Sequence, residues 1–316
     1  MRILLLALIS LVCPPAFAQT FPTKPIQIIV PLAPGGGTDL LARVIADKLR
    51  DKFGQPVTVE NRSGAAGNIG ADAVFKAAPD GHTLLFTQPA PLVVNKALYG
   101  KLTFEPEQFV PIALVSIQDI MLAVNPKVPA SSLPELIAYA RANPGKLNFG
   151  SSGAGSAPHL AAELFGSMAG VKMVHVPYKG SGESQAATLA GHVDLTFFAF
   201  STALRHTKAG KLRAIAVGGA RRNPQAPDVP SISEVLPGYS AASWTAFVAP
   251  PNTPAPVAQT LASAISEIVK MPDVQKRLVD AGDEPADMTP AQMTAFLREE
   301  RQRWGTLIKD LGIEAK

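Results

Sequence analysis

Two loops rich in glycine and hydroxyl residues offer the groups best suited to binding a small anion. The first covers residues 34–39 (Pro-Gly-Gly-Gly-Thr-Asp) and follows the uncharged run 26–30. The second covers 150–156 (Gly-Ser-Ser-Gly-Ala-Gly-Ser) and follows the apolar stretch 147–149. Each precedes an amphipathic helical pattern, and the start of a helix presents unpaired N–H groups and the positive end of the helix dipole. Since glycine also lets the backbone approach a ligand, we predict two lobes that bind a small anion between them.

A carboxylate between these loops would accept several charge-assisted hydrogen bonds. Each contributes about 1.5–3 kcal/mol. Four bonds of about 2 kcal/mol amount to roughly 8 kcal/mol, a micromolar dissociation constant before the cost of ordering is subtracted. The candidate donors are Gly36, Gly37, Thr38, Ser151, Ser152 and Ser156. The alternative is that both loops are ordinary strand–helix turns whose polar residues only cap helices.

The first 18 residues predict a secretory signal peptide. Arg2 precedes the apolar run 3–12, and Ala-Phe-Ala at 16–18 matches the small-residue pattern of a cleavage site. The apolar run is too short for a membrane-spanning helix, which needs about 20 such residues. Cleavage after Ala18 removes Cys13, the only cysteine. The mature chain would therefore have no disulfide and no thiolate metal site.

The distribution of charge argues against nucleic acid as a partner. The chain has 29 basic and 25 acidic residues, a net charge of +4. Its lysines and arginines are scattered, with no basic run interleaved with aromatic residues, which is not the pattern of a nucleic-acid-binding surface. Gly-Lys-Leu triplets lack the phosphate-loop pattern because leucine follows each lysine. We expect a monomer that binds a small molecule and needs no cofactor.

Short apolar runs alternate with helical patterns along the chain, which favours an α/β fold with parallel strands. A compact set of such units occupies 124–242, and the C-terminal helical patterns need a further sheet to cover. We therefore predict one lobe from 19–123 and 243–316, and a second lobe from 124–242. The hinge between them would have two crossings, near 122–126 and 241–245.

Several residues predict where helices begin and end. Thr38 or Asp39 is expected to cap the first helix, which Gly54 would end. Capping boxes at 132–135 and 289–292 predict the starts of two later helices. The first of these signals places the 34–39 loop directly before a helix.

Catalytic and metal-binding arrangements can also be drawn. His159 and Glu163 are four residues apart on a predicted helix and could share a metal, but no third ligand is evident. Ser152, His159 and Asp194 could form a hydrolase triad, although the chain has no G-x-S-x-G motif. Asp39 could be a general acid, with helix capping as the simpler role. We expect no metal and no catalysis, and keep a secreted hydrolase as an alternative.

A set of short motifs extends along nearly all of the mature chain. They lie at 30–39, 59–71, 79–84, 150–160, 176–180 and 209–214, and around Trp244. Each is weak alone, but together they resemble the tripartite tricarboxylate transporter receptor family, the Bug-type periplasmic solute-binding proteins. The resemblance implies a type II periplasmic-binding fold, a cleft that closes on its ligand, and delivery of a small carboxylic acid to the subunits of a membrane permease. An orphan sensor-type binding protein is the other alternative.

The resemblance also implies positions that bind the ligand. In the family, both strand–helix loops hold one carboxylate, a role that falls here on Gly36, Gly37, Thr38, Asp39, Ser151, Ser152 and Ser156. His159 stands at a motif position, Tyr178 beside the cleft, and Gln88 at the cleft rim. Many relatives carry an acidic or amide residue near Phe198, where an aromatic ring suits an apolar or aromatic ligand body.

Overall fold

The apolar runs of the sequence form the strands of two separate sheets. The computed structural model describes residues 21–314, so the predicted signal peptide lies outside the described residues. The strands are β1 (Ile26–Val30), β2 (Val57–Asn61), β3 (Thr83–Thr87), β4 (Val110–Gln118), β5 (Ile120–Val124), β6 (Asn148–Ser151), β7 (Val174–Pro177), β8 (Leu195–Ala199), β9 (Arg213–Val217), β10 (Ser243–Ala249) and β11 (Asp283–Met288). The helices are α1 (Gly37–Phe53), α2 (Asn68–Phe75), α3 (Asn95–Tyr99), α4 (Leu133–Ala142), α5 (Ala157–Ala169), α6 (Ser181–Ala190), α7 (Phe200–Lys208), α8 (Ala255–Val269), α9 (Pro272–Ala281) and α10 (Pro290–Leu311).

Both sheets combine a parallel part with antiparallel returns. Among the described residues, the larger sheet has the strand order β11-β4-β10-β3-β1-β2, and β1 is parallel to β2 and β3. The smaller sheet has the order β7-β6-β8-β5-β9, and β6 is parallel to β7 and β8. The carboxyl ends of parallel strands meet at one edge, so the loops that follow β1 and β6 lie where ligand sites form in α/β sheets.

The chain passes from one sheet to the other twice. β4 ends at Gln118 and β5 begins at Ile120, so only Asp119 separates the two sheets at the first crossing. The chain returns between β9 and β10, and Ser243 pairs with Gln118. The two crossings therefore lie side by side. The chain passes from the larger to the smaller sheet at Asp119, a few residues before the expected crossing at 122–126. The reason is that the apolar run forms two strands separated by this single residue. The lobe limits themselves stay a prediction.

The start of α1 differs from the expected cap. The N-cap residue is Gly36, and no side chain caps the helix there. Thr38 and Asp39 lie inside the first turn instead, and the Asp39 carboxylate accepts a hydrogen bond from the Gly35 N–H group (2.8 Å). The assignment of either as the N-cap was wrong, because Gly36 already has the extended geometry that an N-cap needs. Gly54 ends α1 in a left-handed conformation, as predicted.

The expected capping boxes are formed to different extents. At the start of α10, Thr289 Oγ1 accepts from the Gln292 N–H group, and the Gln292 side chain accepts from the Thr289 N–H group. At the start of α4, Ser132 Oγ accepts from the Glu135 N–H group. The Glu135 carboxylate, however, accepts from Ser131 rather than from Ser132. The capping box at 132–135 is therefore only half formed.

A close contact between α2 and the segment after β1 gives a test of the packing. An alanine at Gly70 would place its methyl group 2.8 Å from Pro31 Cβ and 3.0 Å from the Arg62 carbonyl oxygen. We expect Gly70→Ala to lower the free energy of unfolding by about 1–3 kcal/mol, because the backbone must move to admit the methyl group. Urea denaturation measures the change.

Gly305→Ala is the matched control. Gly305 lies within α10, and an added Cβ would meet nothing within 4 Å. Alanine is the better helix former by about 1 kcal/mol, so this variant should be neutral or more stable. Equal stabilities of the two variants would contradict the close approach of α2 to Pro31.

Candidate ligand-binding site

Both predicted loops line one cavity of about 860 Å³ between the two sheets. The first loop and the strand ends of the larger sheet contribute Gly36, Gly37, Thr38, Asp39 and Gln88. The second loop contributes Ser152, Ala154, Gly155 and Ser156. The structure thus brings together seven of the residues proposed from the sequence.

Asp39 organises the first loop from within α1. Its carboxylate accepts hydrogen bonds from the Gly35 N–H group (2.8 Å), Arg43 Nε (3.2 Å) and Asn61 Nδ2 (3.0 Å). Burial by itself raises the pKa of the Asp39 carboxyl, but these hydrogen bonds and the charge of Arg43 outweigh it, and the pKa lies below its ordinary value. Asp39 is therefore charged at neutral pH and neutralised by Arg43, with its carboxylate committed to the loop.

Gln88 connects the first loop to the crossing between the sheets. It follows β3, and its side-chain N–H groups donate to Thr38 Oγ1 (3.2 Å) and to Gln118 Oε1 (3.4 Å). Gln118 in turn donates to Asp283 Oδ2 (3.0 Å). The polar wall of the cavity thus extends from α1 to the start of β11.

The second loop is held by hydrogen bonds among its own residues. Ser151 Oγ accepts from the Gly153 N–H group (3.1 Å), and Ser156 Oγ donates to the Gly153 carbonyl oxygen (2.7 Å). Ser151 Oγ also lies 2.6 Å from His175 Nε2. Ser152 lines the cavity and takes no part in these bonds. The loop therefore presents the Ser152 hydroxyl and its own backbone to the cavity. Ser151 does not line the cavity, and its hydroxyl bonds within the loop and to His175.

Four of the proposed positions are not among the residues that line the cavity: Ser151, His159, Tyr178 and Phe198. Ser151, within the second loop, and His159, on α5, are both buried. The Tyr178 N–H group donates to the Ser151 carbonyl oxygen (3.0 Å), so this residue contacts the loop through its backbone. The ligand-binding roles of Ser151, His159 and Tyr178 stay predictions.

Phe198 faces the opposite side of the sheet from the cavity. Its side chain is 1% exposed and packs in a core cluster with Met121 and Ala203. Neighbouring side chains of a strand point to opposite faces, and it is Phe197 that lines the cavity. The expectation that Phe198 contacts the body of the ligand is therefore corrected. The aromatic residue on the cavity side of β8 is Phe197, one position earlier.

The hydrolase triad is not assembled. Asp194 Oδ2 accepts from the Asn148 N–H group (2.9 Å) at the beginning of β6, whereas Ser152 follows the end of that strand. The four intervening steps of strand place them roughly 13 Å apart. Between residues 21 and 314, no group of three or more His, Cys, Asp or Glu side chains could hold a metal ion. No described helix is long and apolar enough to cross a membrane.

Sequence reasoning missed the acidic residues of the cavity wall, Asp119 and Asp283. Burial raises the pKa of Asp119 to about 6, although its carboxylate accepts from Asn223, Gly219 and Ile120. Burial also raises the pKa of Asp283. One signal was available for Asp119, since it is the only charged residue in the stretch 110–124.

Comparison with known proteins gives concordant matches along most of the chain. The model of the tripartite tricarboxylate transporter family receptor matches residues 41–313. BugT of Bordetella pertussis is 38% identical over 305 residues, which cover 96% of this chain and 94% of BugT.

Two solved structures have the same fold. R. palustris Rpa4515, determined with adipate, has a TM-score of 0.79 and 34% identity, and the match covers 93% of this chain and 100% of that one. MatC of Rhodopseudomonas palustris, with bound malate, has a TM-score of 0.75 and 32% identity over 91% and 100% of the two chains. The predicted type II periplasmic-binding fold, with two βα lobes and a two-crossing hinge, is confirmed. The matched proteins are solute-binding receptors and not enzymes.

The buried carboxyl at the first crossing gives a pH-dependent prediction. Asp119 has a pKa of about 6 in the folded chain against 3.8 ordinarily. The folded protein therefore binds more protons than the unfolded chain between these values, and this contribution to stability falls as the pH rises from about 4 to about 6. Asp119→Asn removes this pH-dependent contribution. The difference in the free energy of unfolding, variant minus parent, should therefore increase from pH 4 to pH 6, by at most about 3 kcal/mol.

Urea denaturation at half-unit pH intervals measures this difference. Asp228→Asn, at an exposed position after β9, is the control and should follow the parent. A constant difference between Asp119→Asn and the parent from pH 4 to pH 7 would mean that Asp119 does not titrate there.

Proposed function

The chain belongs to the tripartite tricarboxylate transporter receptor family, and from this premise we propose that it is an extracytoplasmic receptor for a small carboxylic acid. The observation that carries the proposal is the convergence of the two loops, at 34–39 and 150–156, on one cavity. The relatives determined with adipate and malate agree with this ligand class.

Backbone N–H groups supply the anion site in this proposal. The first intrahelical bond of α1 is made by the Leu40 N–H group and that of α5 by the Leu160 N–H group. The N–H groups before them have no acceptor in their own helix, and the dipoles of both helices favour negative charge at this end. Thr38 and Ser152 add hydroxyl donors. One carboxylate of the ligand would bind here and exchange its hydration for these donors.

The remainder of the cavity would receive the body of the ligand. Phe197, Leu98 and Leu160 line it together with the polar wall of Gln118 and Asp283. Apolar side chains with a few convergent polar groups are typical of small-molecule sites. We infer that the carbon chain of the acid packs against these apolar side chains. They take the role that the sequence had predicted for Phe198.

Closure of the two lobes over the ligand would signal occupancy. The proposed lobes are 19–123 with 243–316, and 124–242, and the hinge contains Asp119 and the segment before Ser243. A ligand that contacts both loops binds the closed form better than the open form, and so shifts the population toward closure. We propose that the protein acts in the periplasm as a monomer, after removal of the signal peptide 1–18, and delivers its ligand to the subunits of a membrane permease.

Isothermal titration calorimetry with adipate and malate tests the site. Ser152→Ala and Thr38→Val each remove one hydroxyl donor, and each should weaken binding about 10- to 150-fold, the effect of losing one hydrogen bond to a charged group. Ser263→Ala is the control, because Ser263 lies on the exposed face of α8 outside the cavity.

A thermal-shift screen of mono- and dicarboxylates, followed by product analysis, extends the test. A carboxylate that binds the folded protein raises the melting temperature, and the compound should be recovered unchanged. Failure of every carboxylate to bind, or its conversion to a product, would refute the receptor proposal.

A further inference from the structure

Two histidine rings stack on each other directly behind the second loop. The ring centroids of His159 on α5 and His175 on β7 are 3.9 Å apart, with an angle of 11° between the rings. Phe149 of β6 stacks on His175 at 4.9 Å. His159 is buried, and neither histidine lines the cavity. Any influence of this pair on a bound solute must therefore act through the loop.

Each ring is bonded to the loop at a different point. The Gly155 N–H group donates to His159 Nδ1 (2.9 Å). Ser151 Oγ lies 2.6 Å from His175 Nε2 and also accepts from the Gly153 N–H group. Gly155 itself lines the cavity. The pair thus connects to the start of the loop and to the part of its backbone that faces the solute.

Gly155 is also the point where the loop touches the larger sheet's side of the cavity. Its φ is +72°, and a Cβ at this position would lie 2.2 Å from Leu98 Cδ2 of α3. The Gly155 backbone therefore fits closely against Leu98, in a conformation that L side chains rarely adopt. A displacement of Gly155 would change both the loop and its contact across the cavity.

The bond to Gly155 determines which nitrogen of His159 carries the proton. A backbone N–H group only donates, so His159 Nδ1 is unprotonated and the ring proton is on Nε2. Nε2 lies 3.5 Å from Glu163 Oε1. A second proton can bind only at Nδ1, where it removes the acceptor of the Gly155 bond.

The surroundings of the pair keep His175 neutral. Besides the other ring, the charged group that faces the pair is Glu163 of α5, while β6 and the loop contribute uncharged groups. Burial lowers the pKa of His175 to about 4, and the neighbouring His159 acts in the same direction. His175 therefore stays neutral in mild acid, and a stack of two charged rings is avoided. The Glu163 carboxylate lies on the Nε2 side of His159, away from the Gly155 bond.

We propose that His159 is a positioning residue of the solute site, which holds Gly155 and the second loop in the binding conformation when neutral and releases them when protonated. The proposal rests on the proposed function in so far as the 150–156 loop binds the solute. Solute affinity should then decrease in mild acid by more than the titration of the ligand itself explains.

Adipate binding by the parent and three variants, measured by calorimetry from pH 7.5 to pH 5, tests this role. In His159→Asn the side-chain oxygen takes nearly the place of Nδ1 and does not titrate, so the variant should keep its affinity at pH 7.5 and lose the additional decrease in acid. His159→Ala lacks the acceptor and should bind about tenfold more weakly at pH 7.5. His192→Asn, an exposed histidine before β8, should behave as the parent. Titration of adipate is common to all four proteins.

Nuclear magnetic resonance of the ligand-free protein provides the second readout. The imidazole nitrogen shifts should show His159 protonated at Nε2 and unprotonated at Nδ1 at pH 7.5. The Gly155 amide proton should follow the titration of His159 in the parent and in His192→Asn, and should not titrate in His159→Asn.

The two measurements separate the possible failures. Absence of adipate binding by the parent, and of binding by any other carboxylate, would refute the proposed function, while the nitrogen shifts and the Gly155 amide still decide the role of His159. A proton on Nδ1 at neutral pH, or a Gly155 amide that ignores the titration of His159, would overturn the proposal. So would an equal or greater affinity of the parent in acid, relative to His159→Asn.

Discussion

The backbone N–H groups in the first turns of α1 and α5 have no acceptors within their own helices, and both helices begin at the same cavity. A set of fixed donors without bulky side chains is suited to an anion, because it needs no long cationic side chain to be ordered on binding. The cavity wall also contains the carboxyl groups of Asp119 and Asp283. Asp39 is the only charged residue of the first loop, and Arg43 neutralises it. Several polar side chains around the site hold these two helix starts in place.

Most polar side chains near the cavity are used for that support. Asp39 accepts from Gly35, and Ser151 bonds to Gly153 and His175 behind the second loop. Glu300 accepts from the indole N–H group of Trp304, which lines the cavity, and from that of Trp244. Buried polar groups are costly unless they are hydrogen-bonded, and a satisfied network has one preferred arrangement. The loops are thereby ordered before a ligand arrives, which reduces the entropic cost of binding.

The connection between the lobes is constrained in a similar way. Asp119 alone joins β4 to β5, and its carboxylate accepts from the N–H group of Gly219, which follows β9 (2.9 Å). Gln118 and Ser243 pair beside it. In the proposed closure, the two adjacent crossings would act as a hinge, and the two loops would approach each other along one path. The raised pKa of Asp119 reflects the free-energy cost of burying a charged carboxylate at this position.

The sequence by itself determined the local features: the strand–helix alternation, the end of α1 at Gly54, and the two loops that meet at the cavity. These depend on short-range periodicity, capping and glycine conformation, which neighbouring residues encode. Tertiary structure decided what lies opposite what. The strand register turned Phe198 away from the cavity and Phe197 toward it, folding brought Asp283 and Asp119 into its wall, and His175 came to stack on His159. Such contacts join residues far apart in the chain, and the free energy that selects them comes from burial and packing, which no local pattern records.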